Sequence, residues 1–327
     1  MTGPSLPAGA PNSNPMIGSV SRIRASRALD FARRNRRLLW ERIVVRFRRP
    51  RPPSSSRELR LIGDVTVEFD FQLGSMVDMM YRGDYAPELV SLLRRLLHPG
   101  DVVIDVGANI GYVSAIAMSI VGREGEVHAF EPVSRYYGRL LHLVELNPHH
   151  RLLAHRLALS DHEGVATIAI SNVDNIGWNT IVPNHMPANE IGAVETVNTI
   201  RLDSYLDTNR VVPALIKIDV EGFELAVLRG LDDYIRAGHH PLIICELAPS
   251  AYPRILSSVD NLVEWLNENG YMARDIVGLD PIDVRLIDDV RDVLFVPAVG
   301  VLQGDPWVRR RLVRASQRMS QTRKQTP

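Results

Sequence analysis

The chain of 327 residues holds a single cysteine, Cys245, which lies in the apolar run PLIICEL. One cysteine cannot form a disulfide within the chain, and such a composition is typical of reducing compartments. The sequence also lacks an apolar run of the ~20 residues that cross a bilayer, and its N-terminus lacks the apolar segment of a secretory signal peptide. We therefore expect a cytoplasmic protein in which Cys245 is a buried structural thiol.

Net charge is absent too, because 38 basic groups balance 38 acidic groups, but the charges are unevenly placed. Residues 1–60 carry 14 arginines and 3 acids, and residues 61–299 carry 17 basic and 34 acidic groups. Residues 300–327 carry 7 basic groups and 1 acidic group. The three segments thus have net charges of +11, −17 and +6. An acidic body argues against a nucleic-acid-binding domain, whose basic residues would cluster on the folded face.

Composition predicts three segments along the chain. Residues 1–56 form a disordered, Arg-rich arm that ends in the linker RPRPPSSS, residues 57–300 form the folded domain, and residues 301–327 form a basic tail. Within the arm, residues 20–49 also fit an amphipathic helix. Two interpretations stay open: a solvated arm, or peripheral contact with anionic lipid at the inner membrane face or with a partner.

The folded segment predicts an α/β protein. ELRLIGDVTVEFDFQLG at 58–74 predicts a hairpin around Gly63-Asp64. Short apolar runs without polar alternation are typical of parallel strands buried on both faces; they lie at 102–106, 126–130, 153–159, 214–219 and 241–247. Helical patterns lie around them, near 87–97, 111–120, 134–146, 222–236 and 260–268. The interval 170–200 interrupts this alternation and is predicted to be a long functional loop or cap.

The segment DVVIDVGANIGY at 101–112 predicts a cofactor site. A strand ends at Asp105, and Gly107 and Gly111 allow a ligand to approach the backbone where the strand ends. The spacing G-x-x-x-G differs from the G-x-G-x-x-G that places a pyrophosphate at a helix N-terminus. Asp105 would repel a pyrophosphate and would favour an ammonium or sulfonium group.

Two further acids follow the next strands. Glu131 ends the run VHAFE, where a carboxylate can accept hydrogen bonds from both ribose hydroxyls. Asp161 follows LALS, where it could accept a hydrogen bond from an adenine amino group, or could cap a local helix or loop instead. Together these positions suit a nucleoside joined to a cationic amino acid, which describes S-adenosylmethionine.

The ordered motifs resemble the FkbM family of S-adenosylmethionine-dependent methyltransferases over about residues 78–297. The matching segments are DVGANIGY (105–112), AFEP (129–132), ALSD (158–161), IKIDVEGFE (216–224) and ICELAP (244–249). The resemblance implies a class I methyltransferase fold, a Rossmann-like sheet of seven mostly parallel strands with helices on both faces and an antiparallel pair at one edge. VRDVLFVP at 290–297 would be its last strand.

The resemblance also implies further cofactor contacts. Asn109 and Tyr112 lie within DVGANIGY, and GDYAPE at 83–88 looks like the family's upstream G-x-Y-E-P-E element, which adds Tyr85 and Glu88. Ala86 replaces the first glutamate of that element.

Acids after the fourth and fifth strands predict the acceptor side of the site. A methyl group leaves a sulfonium by in-line displacement, and a hydroxyl acceptor must lose its proton to a base. Asp219 or Glu221 is the predicted base, although Glu221 could instead stabilise the following helix through its dipole. Lys217 shares a strand face with Asp219, so the two should form an ion pair that is structural or that orients the carboxylate. With Glu246, the acids could alternatively bind Mg²⁺, an interpretation that we do not favour.

The implied activity is an O-methyltransferase that acts on a small-molecule hydroxyl, on a sugar of a glycolipid or on a polyketide-like product. The alternatives are an N-methyltransferase and a cofactor-binding protein of the same fold that has lost catalysis. The run NIGWNT at 175–180 resembles the family's polar cap element, so we expect acceptor contacts there, including stacking of Trp178 on a sugar ring. His185 is interpreted as a solvated loop residue, with contact to the acceptor as the alternative.

Overall fold

A computed structural model of the chain describes residues 56–172 and 176–298. The predicted N-terminal arm up to residue 55, the tail 301–327 and Asn175 of the cap lie outside the described residues, so their interpretations stay predictions. Of the helices in the described part, none combines the length and the apolar character needed to cross a membrane.

The predicted hairpin is confirmed. Strands β1 (Arg57–Ile62) and β2 (Val65–Asp70) pair in antiparallel register, and Gly63 takes a φ of +61° in the turn between them. The alternate residues of β2, Val65, Val67 and Phe69, are buried in the main core. The side-chain amide of Asn147 holds the hairpin in place, because it accepts a hydrogen bond from the N–H of Thr66 (2.8 Å) and donates one to the carbonyl of Thr66 (2.8 Å).

The domain is built on a seven-stranded sheet. Its strands lie side by side in the order β12 (Tyr271–Asp275), β13 (Arg291–Pro297), β11 (Leu242–Leu247), β10 (Leu215–Ile218), β3 (Val102–Val106), β4 (Glu126–Phe130) and β5 (Arg151–His155). Neighbouring strands are parallel, except that β13 runs antiparallel to both β11 and β12. This order confirms the predicted class I methyltransferase fold. It also places a topological switch point between β3 and β10, where open α/β sheets bind ligands.

Helices cover both faces of this sheet. The described helices are α1 (Ser75–Arg82), α2 (Pro87–Leu96), α3 (Tyr112–Val121), α4 (Ser134–Leu146), α5 (Leu202–Asn209), α6 (Glu224–Arg229), α7 (Asp232–Arg236) and α8 (Val259–Glu268). The apolar side chains of α1 to α4 belong to one buried cluster and those of α5 to α8 to another. Successive residues of one strand point into different clusters, as Val103 and Ile104 do, because side chains alternate across a sheet. The strands therefore need apolar residues on both faces.

Two predicted elements are divided. The apolar run 153–159 belongs to two strands, because the chain leaves the central sheet after β5 and forms β6 (Ala158–Ser160) in another sheet. The predicted helix at 222–236 begins at Glu224 and is divided into α6 and α7 around Gly230. A Cβ atom on Gly230 would lie 2.3 Å from the carbonyl oxygen of Ser160, so the lack of a side chain at Gly230 allows β6 to pack closely. Apolar pattern alone cannot reveal either division.

The interval 170–200, predicted to be a loop or cap, includes parts of a second sheet, so the prediction was wrong for residues 191–200. Strands β6, β9 (Ile191–Arg201), β7 (Gly164–Ser171) and β8 (Asn179–Thr180) lie in this order in a four-stranded sheet. In β9 the buried Val197 and Thr199 alternate with exposed residues. This alternation of period two in 191–201 was the overlooked strand signal. Helices α1 and α5 were also not predicted.

Two glycines offer a matched test of the packing between α3 and α4. A Cβ atom on Gly111, where φ is +86°, would lie 2.7 and 2.9 Å from methyl groups of Leu143 and Leu140. A Cβ atom on Gly138, inside α4, would meet nothing within 4 Å. We expect Gly111→Ala to lower the free energy of unfolding by about 2–4 kcal/mol through overpacking and left-handed strain. Gly138→Ala should raise it by about 0.5–1 kcal/mol through helix propensity. Urea unfolding of both variants measures the difference, and effects of the same sign would contradict it.

Candidate active site

A cavity of about 500 Å³ opens at the carboxyl ends of β3, β4, β10 and β11, above the topological switch point. Among the described residues that line it there are one basic side chain, Lys217, and five acidic ones. The five are Asp105, Glu131, Asp219, Glu221 and Glu246. The fold therefore brings together acids that lie far apart in the sequence and that the motifs had singled out.

The turn after β3 passes directly against the end of β10. A Cβ atom on Gly107 (φ +78°) would lie 1.8 Å from the carbonyl oxygen of Asp219, so only glycine fits here. The N–H groups of Gly107 and Ala108 both donate to the carbonyl of Phe130 at 3.0 Å, and the N–H of Asp219 donates to the carbonyl of Val106 at 3.0 Å. These bonds fix the turn at the floor of the cavity.

Glu131 is held by the backbone on both carboxyl oxygens. The N–H of Asn109, a residue with a φ of +52°, donates to Oε2 at 2.8 Å, and the N–H of Val133 donates to Oε1 at 2.8 Å. Burial raises the pKa of Glu131 to about 7, although the two N–H groups oppose the shift. Each carboxyl oxygen retains a lone pair, so the group can still accept a hydrogen bond from a ligand hydroxyl.

Asp105 lies at the end of β3, beside Lys217 in the register of β10. Its side chain is buried, and its Oδ2 accepts a hydrogen bond from the hydroxyl of Ser114 at 2.5 Å. Burial raises the pKa of Asp105 to about 6, against the lowering effects of Ser114 and Lys217. A carboxyl group is thus fixed beside the glycine turn, where the sequence predicted it.

Three carboxyl groups lie near one another in the cavity, where β10 and β11 end. Asp219, Glu221 and Glu246 each offer an oxygen, and these oxygens lie within 4.8 Å of one another, a set that could hold a hard cation. The ammonium group of Lys217 lies 3.2 Å from Asp219 and 3.6 Å from Asp292, and its side chain is only 2% exposed. The predicted contact between Lys217 and Asp219 is confirmed.

Repulsion among these acids changes their protonation. The charge of Asp219, followed by burial, raises the pKa of Glu246 to about 9, and burial, followed by the charge of Asp219, raises the pKa of Glu221 to about 8. Burial alone lowers the pKa of Lys217, but the surrounding carboxylates outweigh it and hold that pKa well above its usual value. At neutral pH, Lys217 is therefore charged while Glu221 and Glu246 retain protons.

The loop that carries Glu221 is tightly constrained. Glu221 has a φ of +51°, and a Cβ atom on Gly222 would lie 2.2 Å from the Cβ of Ala251. Helix α6 begins at Glu224, whose Oε1 accepts a hydrogen bond from the N–H of Gly222 at 2.6 Å. Glu224 thus takes the place at the helix start that was the structural alternative for Glu221, and the side chain of Glu221 lines the cavity instead.

Known proteins resemble this chain at the level of sequence. The family model described as "Methyltransferase FkbM domain" matches residues 105–272, more than half of the chain. The chain belongs to the FkbM family of methyltransferases. This confirms the resemblance drawn from the motifs, and it establishes the protein as a methyltransferase.

Relatives of this FkbM methyltransferase include the hexuronic acid methyltransferase AglP of Haloferax volcanii, which is 28% identical over 189 residues, 58% of this chain and 73% of AglP. Among solved structures, Aeropyrum pernix fibrillarin with bound S-adenosyl-L-methionine aligns with a TM-score of 0.37 and 15% sequence identity. The alignment covers 76% of this chain and 85% of the fibrillarin chain. TYW2 of M. jannaschii with AdoMet has a TM-score of 0.36 and 11% identity, covering 75% and 86%. The fold assignment depends on the strand order described above, not on these scores.

Most of the predicted site residues of this FkbM methyltransferase line the cavity. The four residues singled out for the acceptor side, Lys217, Asp219, Glu221 and Glu246, do so. Six of the predicted cofactor residues also line it: Asp105, Gly107, Asn109, Tyr112, Glu131 and Tyr85. Burial, followed by the charges of Asp219 and Glu246, raises the pKa of Tyr85. The ring of Tyr85 packs edge to face against Tyr112 at 5.7 Å.

Three predicted cofactor residues are not among the lining residues: Gly111, Asp161 and Glu88. Gly111 packs against α4, and Glu88 lies in the first turn of α2. Asp161 follows β6, which has left the central sheet, and its Oδ1 lies 2.6 Å from Nδ1 of His162. A cofactor contact by Asp161 therefore gains no support from the structure.

Several contributors were missed. The stretch Leu157–Leu159 lines the cavity where Asp161 was expected, and Met76, Met79 and Met80 of α1 line it from another side. The spacing i, i+3, i+4 of the methionines was a helical signal that the sequence offered.

From the expected cap, Gly177 and Asn179 line the cavity, whereas Trp178 and His185 are not among the lining residues. Asp292 was missed because it is a single acid in an apolar last strand.

The raised pKa of Glu246 predicts a stability gain on its replacement. Between pH 4.5, its usual pKa, and about 9, the folded chain retains a proton that the unfolded chain releases, so rising pH favours unfolding. Glu246→Gln has no such proton to release, so it removes this loss of stability with rising pH. We expect its melting temperature to exceed that of the unmodified protein by roughly 3 °C or more at pH 8, with a gap that widens from pH 5 to 9. Glu268→Gln, at an exposed helical position, is the control. A gap that stays constant with pH would contradict the prediction.

Proposed function

We propose that the protein transfers the methyl group of S-adenosylmethionine to a hydroxyl group of an uncharged, sugar-like acceptor. The proposal is carried by a single cavity that joins Glu131 and the glycine turn at one end to three carboxyl groups, with oxygens within 4.8 Å of one another, at the other end. A nucleoside and an acceptor can therefore meet inside one crevice. S-adenosylmethionine would supply a methyl group activated by its sulfonium.

The residues at the cofactor end fit this donor. Glu131 faces the cavity with free lone pairs for ribose hydroxyls, and Gly107 permits close approach of a ligand to the backbone. Asp105 provides a negative charge suited to the ammonium group of the donor's amino acid. The apolar stretch Leu157–Leu159 and Pro132 offer surfaces for the adenine ring.

At the acceptor end, we assign proton removal to Glu221. A pKa of about 8 is close to the operating pH, where a general base is most effective. Its neighbour Asp219 is paired with Lys217 and helps to fix the cluster. Alignment of the acceptor oxygen with the methyl carbon, which the walls of the cavity impose, supplies the remainder of the acceleration.

The lining charges favour an acceptor that is uncharged near the reacting group. Lys217 is the one basic side chain among the described residues that line the cavity, and it already contacts Asp219 and Asp292. An anion 5 Å from one ionised carboxylate would cost about 3 kcal/mol at an effective dielectric constant of 20. The named substrate of the Haloferax volcanii relative, a hexuronic acid, is anionic, so we propose that this chain prefers a different acceptor. Met76 and Met79 add apolar surface for an aliphatic part of a glycolipid.

An amine is the second candidate acceptor, because the acidic lining also suits a cation. We propose that neither reaction needs a divalent metal ion. The ammonium group of Lys217, 3.2 Å from Asp219, already places a positive charge beside the carboxyl cluster. Activity that is unchanged after exhaustive chelation would agree with this proposal, and activity restored only by added Mg²⁺ would favour the metal alternative.

Three methyl glycosides that share one ring test the acceptor class. Methyl glucoside is neutral, methyl glucuronide is anionic and methyl glucosaminide is cationic. With isotope-labelled S-adenosylmethionine, we expect transfer to the neutral glycoside at least about tenfold above transfer to the glucuronide, following the charge penalty. Preferred methylation of the glucuronide would contradict the neutral acceptor, and preferred methylation of the glucosaminide amine would favour N-methylation. Binding of the donor without transfer to any of them would count against a sugar hydroxyl.

The role of Glu221 predicts a change in the pH profile. We expect Glu221→Gln to lower kcat about 100-fold or more, the contribution of a general base. In the unmodified protein, kcat/KM should rise with pH through about 8, because the carboxyl group must lose its proton before it can accept another. Affinity for S-adenosylmethionine, measured by calorimetry, should change little. A variant that retains both the activity and the rise would remove Glu221 from the mechanism.

A further inference from the structure

The conformation of Glu221 requires an explanation. A φ of +51° is left-handed, which is uncommon for a residue with a long side chain and costs about 1–2 kcal/mol. Such strain persists only where the surroundings hold it, and it concentrates at functional sites.

A side chain from outside this loop forms a hydrogen bond with the backbone of Glu221. The hydroxyl of Thr180, in strand β8 of the second sheet, donates to the carbonyl oxygen of Glu221 at 2.8 Å. The same hydroxyl oxygen accepts the N–H of Val182 at 3.0 Å. Because the Glu221 carbonyl can only accept, the Thr180 hydroxyl must direct its proton there. Thr180 is 1% exposed, so water does not replace the bond.

The segment that carries Thr180 is itself anchored. The side-chain amides of Asn109 and Asn179 donate to the same carbonyl, that of Ile176, at 2.7 and 2.8 Å. Asn109 belongs to the cofactor turn, and its N–H bonds Glu131. Residues 176–182 therefore extend from the turn after β3 to the loop that carries Glu221, and Thr180 forms its hydrogen bond to that loop.

We propose that Thr180 is a positioning residue for Glu221, whose backbone it holds in the left-handed conformation that directs the carboxyl group toward Asp219 and Glu246. This rests on the proposed function for the role of Glu221, but the bond itself does not. Without the hydroxyl, the loop relaxes toward an ordinary φ, and the carboxyl group leaves the cluster. Threonine is needed here for its hydroxyl rather than for its volume.

Three substitutions separate the hydroxyl from the packing. Thr180→Val retains the shape and removes the hydroxyl, Thr180→Ser retains the hydroxyl, and Thr180→Ala is a second variant without hydroxyl that adds no bulk. Hydrogen exchange of the Gly222 amide, which bonds Glu224 in the same loop, needs no acceptor and can be measured on the complex with S-adenosylhomocysteine. We expect exchange to accelerate about tenfold in the Val and Ala variants, the effect of one lost hydrogen bond, and to stay within about threefold in the Ser variant.

Kinetics test the link to catalysis. We expect kcat to fall about tenfold or more in Thr180→Val, with the calorimetric affinity for S-adenosylmethionine within twofold, and to recover in Thr180→Ser. In a Glu221→Gln background, Thr180→Val should add little, because the two residues act together. Unchanged Gly222 exchange in Thr180→Val and Thr180→Ala, or equal damage in Thr180→Ser, would overturn the proposal. If exchange of the Gly222 amide changes in the Thr180 variants but Glu221→Gln retains full activity, Glu221 is not the base, whereas the positioning bond from Thr180 stands.

Discussion

The buried ammonium group of Lys217 is the interaction on which the site depends. Four carboxyl groups, those of Asp219, Glu221, Glu246 and Asp292, approach one another at the ends of β10, β11 and β13. So many negative charges in a crevice would repel one another without a cation among them. Lys217 supplies this charge from the centre of the sheet, and it holds Asp219 and Asp292 by direct contact. The remaining repulsion appears as the raised pKa values of Glu221 and Glu246.

Much of this could be predicted from the sequence, because the decisive signals are local. The central strands reveal themselves as short apolar runs, and the acids that follow them must meet at one edge of a parallel sheet. Strand β9 and helix α1 had sequence signals that were overlooked, but other failures arise because an apolar run does not reveal which strands it will pair with. The run 153–159 gives no sign that β6 joins another sheet, and Asp161, which follows β6, is not among the residues that line the cavity. Asp292 reaches Lys217 only through the antiparallel return of β13, a register that spacing cannot show.

The conformations of the two binding loops come from tertiary contacts rather than from propensity. Asn109 and Glu221 both have positive φ values, and each is held by hydrogen bonds to distant residues. The second sheet provides the connection, since its segment 176–182 bonds both loops. An interval that the sequence presents as an interruption therefore fixes the geometry of the site. Strain and repulsion of this kind are maintained at the expense of stability, as is common at active sites.

We propose that one cavity holds a nucleoside at Glu131 and presents its reacting end to the carboxyl groups of Asp219, Glu221 and Glu246. A crystal structure of the protein with S-adenosylhomocysteine tests this most directly. We expect the ribose hydroxyls to donate hydrogen bonds to Glu131 and the sulfur atom to face Asp219 and Glu221. A nucleoside bound elsewhere, or a sulfur atom directed away from these carboxyl groups, would contradict it.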